Sequence, residues 1–347
     1  MSIFVLACLI FGQVKGKDCT RRSKWNLGIL LLSLFTVLFM GFRPIVEETG
    51  DTEAYARFYE NIQQLNPQSD VIFYGLMKLM HSFGCSVHDF FLLVAGIYVF
   101  SYAHFCKIHF RNNPYITFLS ILVSFSFFSY GINGIRNGLA LAIFLLAFSY
   151  WQQKKYWIVL LMAFIAVNVH GSALLPFVAL LLASKIHKVQ WFYRVWIVCL
   201  IISVVAGQQI ELLINQCATL LGSHDEAYFF TYPTDREFAM SGFRYDFMLY
   251  GFVPIAISYY YIINRKIRDI FYTRLSGVYV ICNSFWLFTA SGWLSNRFAF
   301  LSWFLYIPVA LYPILHFEVG YKRKARAWMF FIGNYAFTLI MFFLRKY

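Results

Sequence analysis

Residues 298–316 read FAFLSWFLYIPVALYPILH, nineteen positions without an Asp, Glu, Lys or Arg. A helix rises about 1.5 Å per residue, so this run is nearly as long as the hydrocarbon core of a membrane is thick. Arg297 precedes the run, and the basic sequence of residues 322–326, KRKAR, follows it. The stretch therefore predicts a membrane-spanning helix between charged ends.

The composition of the whole chain agrees with this stretch. Of its 347 residues, 60% are hydrophobic and 13% are charged, whereas soluble domains carry about 25% charged residues. A soluble core of this size could not bury so many apolar side chains, so a soluble enzyme is excluded, and the same numbers exclude a disordered chain. We predict an all-α polytopic membrane protein that forms a single integral membrane domain over residues 1–347.

The net charge of +13 predicts orientation in the membrane and not nucleic-acid binding. Twenty of the 29 Lys and Arg residues lie in short clusters between apolar runs, as in cytoplasmic loops. Placing these clusters on one side predicts about twelve transmembrane helices, outer loops at 43–70 and 214–244, and one re-entrant or interfacial helix at 71–83, which is too short to span. The predicted crossings are 2–14, 25–42, 90–106, 115–130, 137–151, 156–169, 172–184, 196–213, 245–263, 275–290, 298–316 and 328–344.

Nine cations remain outside the clusters, and seven of them are arginines. A guanidinium group binds phosphate oxygens two at a time and stays charged, so arginines left on the outer side predict a diphosphate clamp. Arg136 lies in the glycine-spaced turn GINGIRNG at a helix start, and Arg297 lies in SNRF. We predict that these two, together with Arg43 and Arg244, bind diphosphate. The alternative is snorkelling or pairing with outer carboxylates such as Asp246.

Asp51, Tyr55 and Tyr59 are four residues apart and share one face of a helix predicted to start after Gly50. Asp51 is a candidate for orienting or deprotonating a sugar hydroxyl, but it is equally a candidate for the helix N-cap. The two tyrosines are candidates for stacking on sugar rings. His170, in the turn NVHGSA, is a candidate general base or hydrogen-bond donor, with a structural role as the alternative. No His or Cys spacing is typical of a metal site, so neither metal nor cofactor is predicted.

Five short motifs occur along the chain in a fixed order: FRP at 42–44, TGDTEAY at 49–55, IRNGLA at 135–140, HGSA at 170–173 and NRF at 296–298. In this order they resemble the EpsG family of bacterial exopolysaccharide proteins, which is related to Wzy-type O-antigen and capsule polymerases. The resemblance covers about residues 40–305. Asn137 stands where the family commonly has Gln; the amide is retained, and we place Asn137 with Arg136 among the substrate-binding candidates.

The resemblance implies a metal-independent glycosyltransferase in the bacterial cytoplasmic (inner) membrane. Such a polymerase moves a growing glycan from undecaprenyl diphosphate to the hydroxyl of an incoming lipid-linked repeat unit at the outer face. The implied partners are the undecaprenyl-diphosphate-linked oligosaccharide, the lipid bilayer, and a chain-length regulator and flippase of the same pathway. Two alternatives stay open: a flippase or transporter of the lipid-linked oligosaccharide, and a glycosyltransferase that uses a polyprenyl-phosphate sugar.

Overall fold

The computed structural model describes residues 27–46, 51–65, 67–186, 188–220, 243–290 and 295–344. Within these ranges the regular structure is helical, without a strand, as predicted. The helices are α1 Leu27–Gly41, α2 Thr52–Glu60, α3 Val71–Ser82, α4 Val87–His109, α5 Pro114–Leu122, α6 Phe125–Ile132, α7 Ile135–Gln152, α8 Tyr156–Val169, α9 Leu174–Lys185, α10 Gln190–Leu220, α11 Tyr245–Tyr259, α12 Ile270–Phe288, α13 Ser295–Trp303, α14 Tyr306–Phe317 and α15 Gly320–Leu344. A single 3₁₀ turn, Gly171–Ala173, joins α8 to α9, and a π turn, Tyr260–Asn264, follows α11.

Five helical segments in the described residues are long and apolar enough to cross a membrane. They are Val87–His109, Gln190–Gly207, Tyr245–Asn264, Arg297–Phe317 and Gly320–Phe343. A bent pair, α5 with α6, raises the number to six, and three shorter apolar helices of 10–17 residues come in addition. The protein is therefore a helical membrane protein, but these lengths do not support the predicted count of about twelve spans.

Some apolar runs that were predicted to cross the membrane form helices that are too short or broken to span it. The helix at 156–169 has the predicted bounds but only 14 residues, and α1 has 15, where about 20 are needed to span. The run 115–130 breaks at Val123 and Ser124 into two helices that meet at 65°. The Ser124 hydroxyl donates to the Ile121 carbonyl at 2.7 Å, a local bond of the kind that competes with the helical pattern. The first predicted crossing, 2–14, and most of the loop 214–244 lie outside the described residues.

The described helices group into two compact units. The first contains the residues up to Leu174 and those from Ile314 onward, and the second contains Leu175–Pro313. In the first unit α4 packs against α1 and α7, and α8 packs along α7. The N-terminus of α4 is fixed by a capping box, in which Ser86 and Asp89 each accept the other's backbone N–H, at 3.2 and 2.8 Å.

In the second unit a buried polar network ties the helices together. The Trp196 indole donates to the Asn283 side chain at 2.8 Å, and the Asn283 amide donates to the Ser302 hydroxyl at 3.1 Å. These bonds join α10, α12 and α13. These hydrogen bonds offset the cost of removing the three polar side chains from water.

The hairpin of α7 and α8 positions the candidate site. The connection, Gln153–Lys155, is a tight turn in which Lys154 has a left-handed backbone, with φ of 60°. Because α7 has 18 residues, its two ends are about 27 Å apart. Arg136 and His170 therefore lie at the end of the hairpin opposite the basic turn.

Candidate functional site

Arg136 lies in the first turn of α7 and forms an ion pair with a residue that the sequence patterns did not single out. Its Nη1 donates to Asp70 Oδ2 at 2.7 Å and to the Tyr74 hydroxyl at 3.2 Å. It also hydrogen-bonds Tyr55. The side chain keeps 28% of its surface exposed. Asp70 and two tyrosines therefore hold the guanidinium group while part of it stays open to solvent.

Asp70 is the residue on which the cluster centres. It precedes α3 with a left-handed backbone, φ 53°, and only 8% of its surface is exposed. Its side chain does not cap α3; it accepts from Arg136 and lies 3.1 Å from His170 Nδ1. The Gly171 backbone N–H donates to it as well. We call Asp70, Tyr74, Arg136 and His170 the Asp70 cluster.

The environment of Asp70 stabilises its charged form. Burial by itself would raise the pKa of this carboxyl, but the hydrogen bond from His170, the positive charge of Arg136 and the hydrogen bond from the Gly171 N–H outweigh it. The pKa of Asp70 is therefore held below its ordinary value. At neutral pH the group is a carboxylate, which accepts hydrogen bonds and does not donate them.

His170 is held in the cluster by the end of α8. Its backbone N–H donates to the Ala166 carbonyl at 2.9 Å, and its own backbone is extended, which turns the chain into the 3₁₀ segment. The imidazole is 30% exposed. Because Asp70 only accepts, the hydrogen on Nδ1 must belong to His170 in this contact. The predicted acid–base candidate is thus half-buried and oriented by a carboxylate.

Asn137 connects the two sides of the site. Its amide nitrogen donates to the Tyr130 hydroxyl at 3.1 Å, and its oxygen accepts from Ser172 Oγ at 3.1 Å. The residue is 7% exposed. These bonds join α6, the start of α7 and the segment after His170. They give Asn137 a structural use, and its contact with substrate stays a prediction.

The glycines around Arg136 serve close helix packing. A Cβ at Gly138 would lie 2.6 Å from the Tyr130 carbonyl oxygen, and a Cβ at Gly131 would lie 2.4 Å from the Met40 methyl carbon. Glycine at such a turn can also allow a backbone to approach a ligand closely. In the structure, protein atoms already occupy that space.

Arg43 is buried at the end of α1, with 3% of its surface exposed. Nε donates to Thr52 Oγ1 at 2.9 Å, Nη1 donates to the Met40 carbonyl at 2.7 Å, and the guanidinium carbon lies 3.8 Å from the centre of the Phe91 ring. Burial lowers the pKa of Arg43 to about 10, so the group remains charged at neutral pH. These contacts hold α1, α2 and α4 together, and a role in binding diphosphate stays a prediction.

Asp51 precedes α2 as its N-cap residue, at the predicted place, although its side chain makes no capping hydrogen bond. Tyr55 and Tyr59 are both 4% exposed. The Tyr59 hydroxyl donates to the Cys85 carbonyl at 2.8 Å, whereas the Tyr55 ring lies 5.9 Å from the Arg136 guanidinium carbon. Of the two tyrosines, Tyr55 therefore lies at the cluster.

The remaining two predicted arginines belong to the second unit. Arg244 makes a two-point contact with Asp246, with Nε to Oδ1 at 2.8 Å and Nη2 to Oδ2 at 2.5 Å, and stacks on Phe247. This is the pairing that the sequence left open as the alternative. Arg297 lies exposed in the first turn of α13.

Among the described residues no group of three His, Cys, Asp or Glu side chains is arranged to hold a metal ion.

Asp70 and Tyr74 were missed by the sequence patterns because their partners are distant in the chain. Arg136 is 66 residues from Asp70, and His170 is 100 residues from it. The available signal was an acidic residue directly before the short apolar helix at 71–83. That signal shows a charge near the membrane, but it does not show which side chains contact it.

With this geometry in view, comparison with known proteins gives one assignment. The sequence model of the EpsG family matches residues 27–347, nearly the whole chain. The chain belongs to the EpsG family. The resemblance found in the short motifs is thereby confirmed, and the helical membrane architecture agrees with an EpsG protein of exopolysaccharide biosynthesis. No curated protein and no solved structure gives a significant match.

Proposed function

We propose that this EpsG protein is a polysaccharide polymerase at the outer face of the bacterial cytoplasmic membrane. It transfers a growing glycan from undecaprenyl diphosphate to a sugar hydroxyl of an incoming lipid-linked repeat unit. The observation that carries the proposal is the Asp70 cluster. It places a part-exposed guanidinium and an oriented imidazole together, at the end of a helix hairpin opposite a basic turn.

The chemistry that the cluster supports is a substitution at the anomeric carbon of the donor glycan. The acceptor hydroxyl oxygen forms the new bond to that carbon, and its proton passes to a base. The bond from the carbon to the diphosphate oxygen breaks, and the electron pair leaves with the diphosphate. A fixed guanidinium can stabilise the charge that develops there, because it needs no reorganisation during the step. Arg136 is suited to this role. For Arg297 and Arg244, which belong to the second unit, binding of anionic headgroups stays a prediction.

The positive-inside rule supports the orientation. If Lys154 and Lys155 face the cytoplasm, then the opposite end of the α7–α8 hairpin faces outward. Lipid-linked repeat units are elongated on that side in the Wzy-type reaction that the family resemblance implies. We propose a flippase and a chain-length regulator of the same pathway as its partners.

The test replaces Arg136 or Arg297 with Ala in a strain that lacks the native gene, and the glycan is separated on a gel. We expect each variant to lose long polymer, with turnover reduced about 10²-fold, because one stabilising donor for the leaving group is gone. Arg57→Ala is the matched control, since Arg57 is 69% exposed on α2 and its contact with Glu53 is 4.0 Å long. Full-length polymer in the Arg136→Ala strain, at wild-type protein levels, would show that the assignment is wrong.

A transporter is the second candidate, and the helix breaks support it. The 65° bend between α5 and α6 and the 3₁₀ turn after His170 resemble the interrupted helices that line transport sites. A transporter would move the lipid-linked unit without lengthening its glycan, and a single-sugar transferase would add one residue only. A ladder of products therefore distinguishes the polymerase from both.

A further inference from the structure

The carboxylate of Asp70 lies between the two groups to which the proposed reaction assigns roles. It accepts from Arg136 Nη1 at 2.7 Å and lies 3.1 and 3.3 Å, through its two oxygens, from His170 Nδ1. We propose that Asp70 is a positioning residue that holds His170 protonated on Nδ1 and leaves Nε2 as the acceptor of the sugar hydroxyl proton. The inference rests on the proposed polymerase function and assigns the role of base, which the sequence left open between His170 and Asp51.

The tautomer follows from the donors and acceptors present. A carboxylate has no hydrogen to donate, so the contact with Nδ1 requires the proton to be on that nitrogen. In a neutral imidazole the other nitrogen, Nε2, then carries a lone pair. With 30% of its side chain exposed, His170 is accessible enough for a substrate hydroxyl to approach.

The side chain of Asp70 is directed at the cluster and not at the helix that follows it. Asp70 has a left-handed backbone, with φ of 53°, a conformation that Asp adopts more readily than most residues. The carboxylate does not use this conformation to cap α3, the usual role for Asp before a helix. It instead faces Arg136 from α7 and both His170 and the Gly171 N–H from the segment after α8. One side chain thus fixes the relative position of three segments.

In the proposed reaction His170 takes the proton of the acceptor hydroxyl. The acceptor hydroxyl gives its proton to Nε2 as the oxygen forms its bond to the anomeric carbon, and the diphosphate departs with the electron pair of the broken bond. His170 is then an imidazolium, which the Asp70 carboxylate stabilises through the Nδ1 hydrogen. In the structure Asp70 contacts His170 directly, Arg136 binds the same carboxylate oxygen, and Tyr74 contacts Arg136.

The test is Asp70→Asn in the full-length protein, purified and supplied with lipid-linked repeat unit. The amide retains the size of the side chain, but it can present its NH₂ to Nδ1 and so favour the wrong tautomer. We expect kcat to fall about 10²-fold or more while KM changes less than about threefold. Because Asp70 also contacts Arg136, the imidazole tautomer, measured separately, assigns the loss of kcat to His170. An unchanged kcat in Asp70→Asn would overturn the proposal.

Glu318→Gln is the matched control for the loss of a buried ion pair. Glu318 is also 8% exposed and is also bound by an arginine, Arg326, at 2.7 Å, within the same unit. We expect this variant to lose stability as Asp70→Asn does and to keep the wild-type kcat. Equal losses of kcat in the two variants would reduce Asp70 to a structural role and overturn the inference.

A second readout does not depend on activity. In protein labelled with ¹⁵N-histidine, the imidazole shifts report the tautomer, and His170→Gln identifies the His170 signals among the eight histidines. We expect Nδ1–H in the wild type and a shift toward Nε2–H in Asp70→Asn; Nε2–H in the wild type would overturn the inference.

If wild-type protein elongates no glycan, the polymerase function fails, and these shifts still decide the role of Asp70. If it elongates and Asp70→Asn keeps its kcat, the function stands and the inference fails.

Discussion

At the scale of single residues, Arg43 and Arg136 differ in burial, although the sequence predicted diphosphate binding for both. Arg43 is enclosed: Nε donates to Thr52, Nη1 donates to the Met40 carbonyl, and Nη2 is buried without a hydrogen-bond partner among the described residues. Arg136 is part-exposed and shares one nitrogen with Asp70. The first arrangement stabilises the fold, and the second leaves guanidinium surface at which we propose that a ligand binds.

Replacement by Lys tests this difference. Arg43→Lys loses the planar fork and the stacking on Phe91, and we expect it to destabilise the protein by about 2–4 kcal/mol, measured as a lower unfolding temperature in detergent. Arg136→Lys is expected to fold normally but to make polymer about tenfold more slowly, because an ammonium cannot bind a phosphate in two places. Equal stability of the two Lys variants would contradict the different roles assigned to the two arginines.

The charge of Asp70 predicts a pH dependence. The pKa of Asp70 is lowered in the folded protein, so its contribution to stability is present above the unfolded value, near pH 4, and is lost as pH falls through the folded value. The difference in unfolding temperature between wild type and Asp70→Asn should be largest near neutral pH and shrink below about pH 4. A difference that stays constant from pH 7 to pH 3 would contradict this account of Asp70.

At the scale of helices, the sequence predicted where helices lie better than it predicted whether they are unbroken. The helix at 156–169 has the bounds of its apolar run, and the short helix predicted at 71–83 ends within one residue of the observed Ser82. The run 115–130 is instead broken at Ser124, whose hydroxyl bonds to a nearby carbonyl. The hydrophobicity of a run does not show whether a side chain will compete with the helical hydrogen bonds. The length of apolar runs alone therefore overestimates the number of spans.

The same limit applies to the candidate site. Arg136 and His170 stood out because charged or titratable groups inside apolar sequence need a reason. Asp70 did not, since only the packing of α8 along α7 and beside α3 brings it to them. A single sequence identifies which residues are unusual, and the fold determines which of them meet.

Two glycines test the close packing at the start of α7. Gly138→Ala places a Cβ 2.6 Å from a backbone oxygen that cannot move aside, and we expect a loss of about 1–3 kcal/mol or more. Gly171→Ala has open space around its Cβ and should leave the unfolding temperature unchanged within error. Thermal unfolding of the two purified variants measures the contrast, and equal stability would contradict the packing described here.

At the scale of the whole molecule, the orientation of the α7–α8 hairpin determines whether the Asp70 cluster faces outward. Gly171→Cys should react with a membrane-impermeant maleimide in right-side-out vesicles, whereas Lys154→Cys should react only after the vesicles are opened. Labelling is compared with the parent chain, which contains seven cysteines. The opposite pattern would place the cluster on the cytoplasmic side and remove the basis of the proposed reaction.

The central claim is that this EpsG protein lengthens a glycan at a metal-free site containing Arg136 and His170. Its most direct measurement uses purified protein in liposomes, with lipid-linked repeat unit supplied on the side of Gly171 and a chelator present, and the products are resolved by size. The account predicts a ladder of increasing length for the wild type and unextended repeat unit for Arg136→Ala. Products longer by a single sugar, or lipid-linked unit that crosses the bilayer without growing, would contradict it.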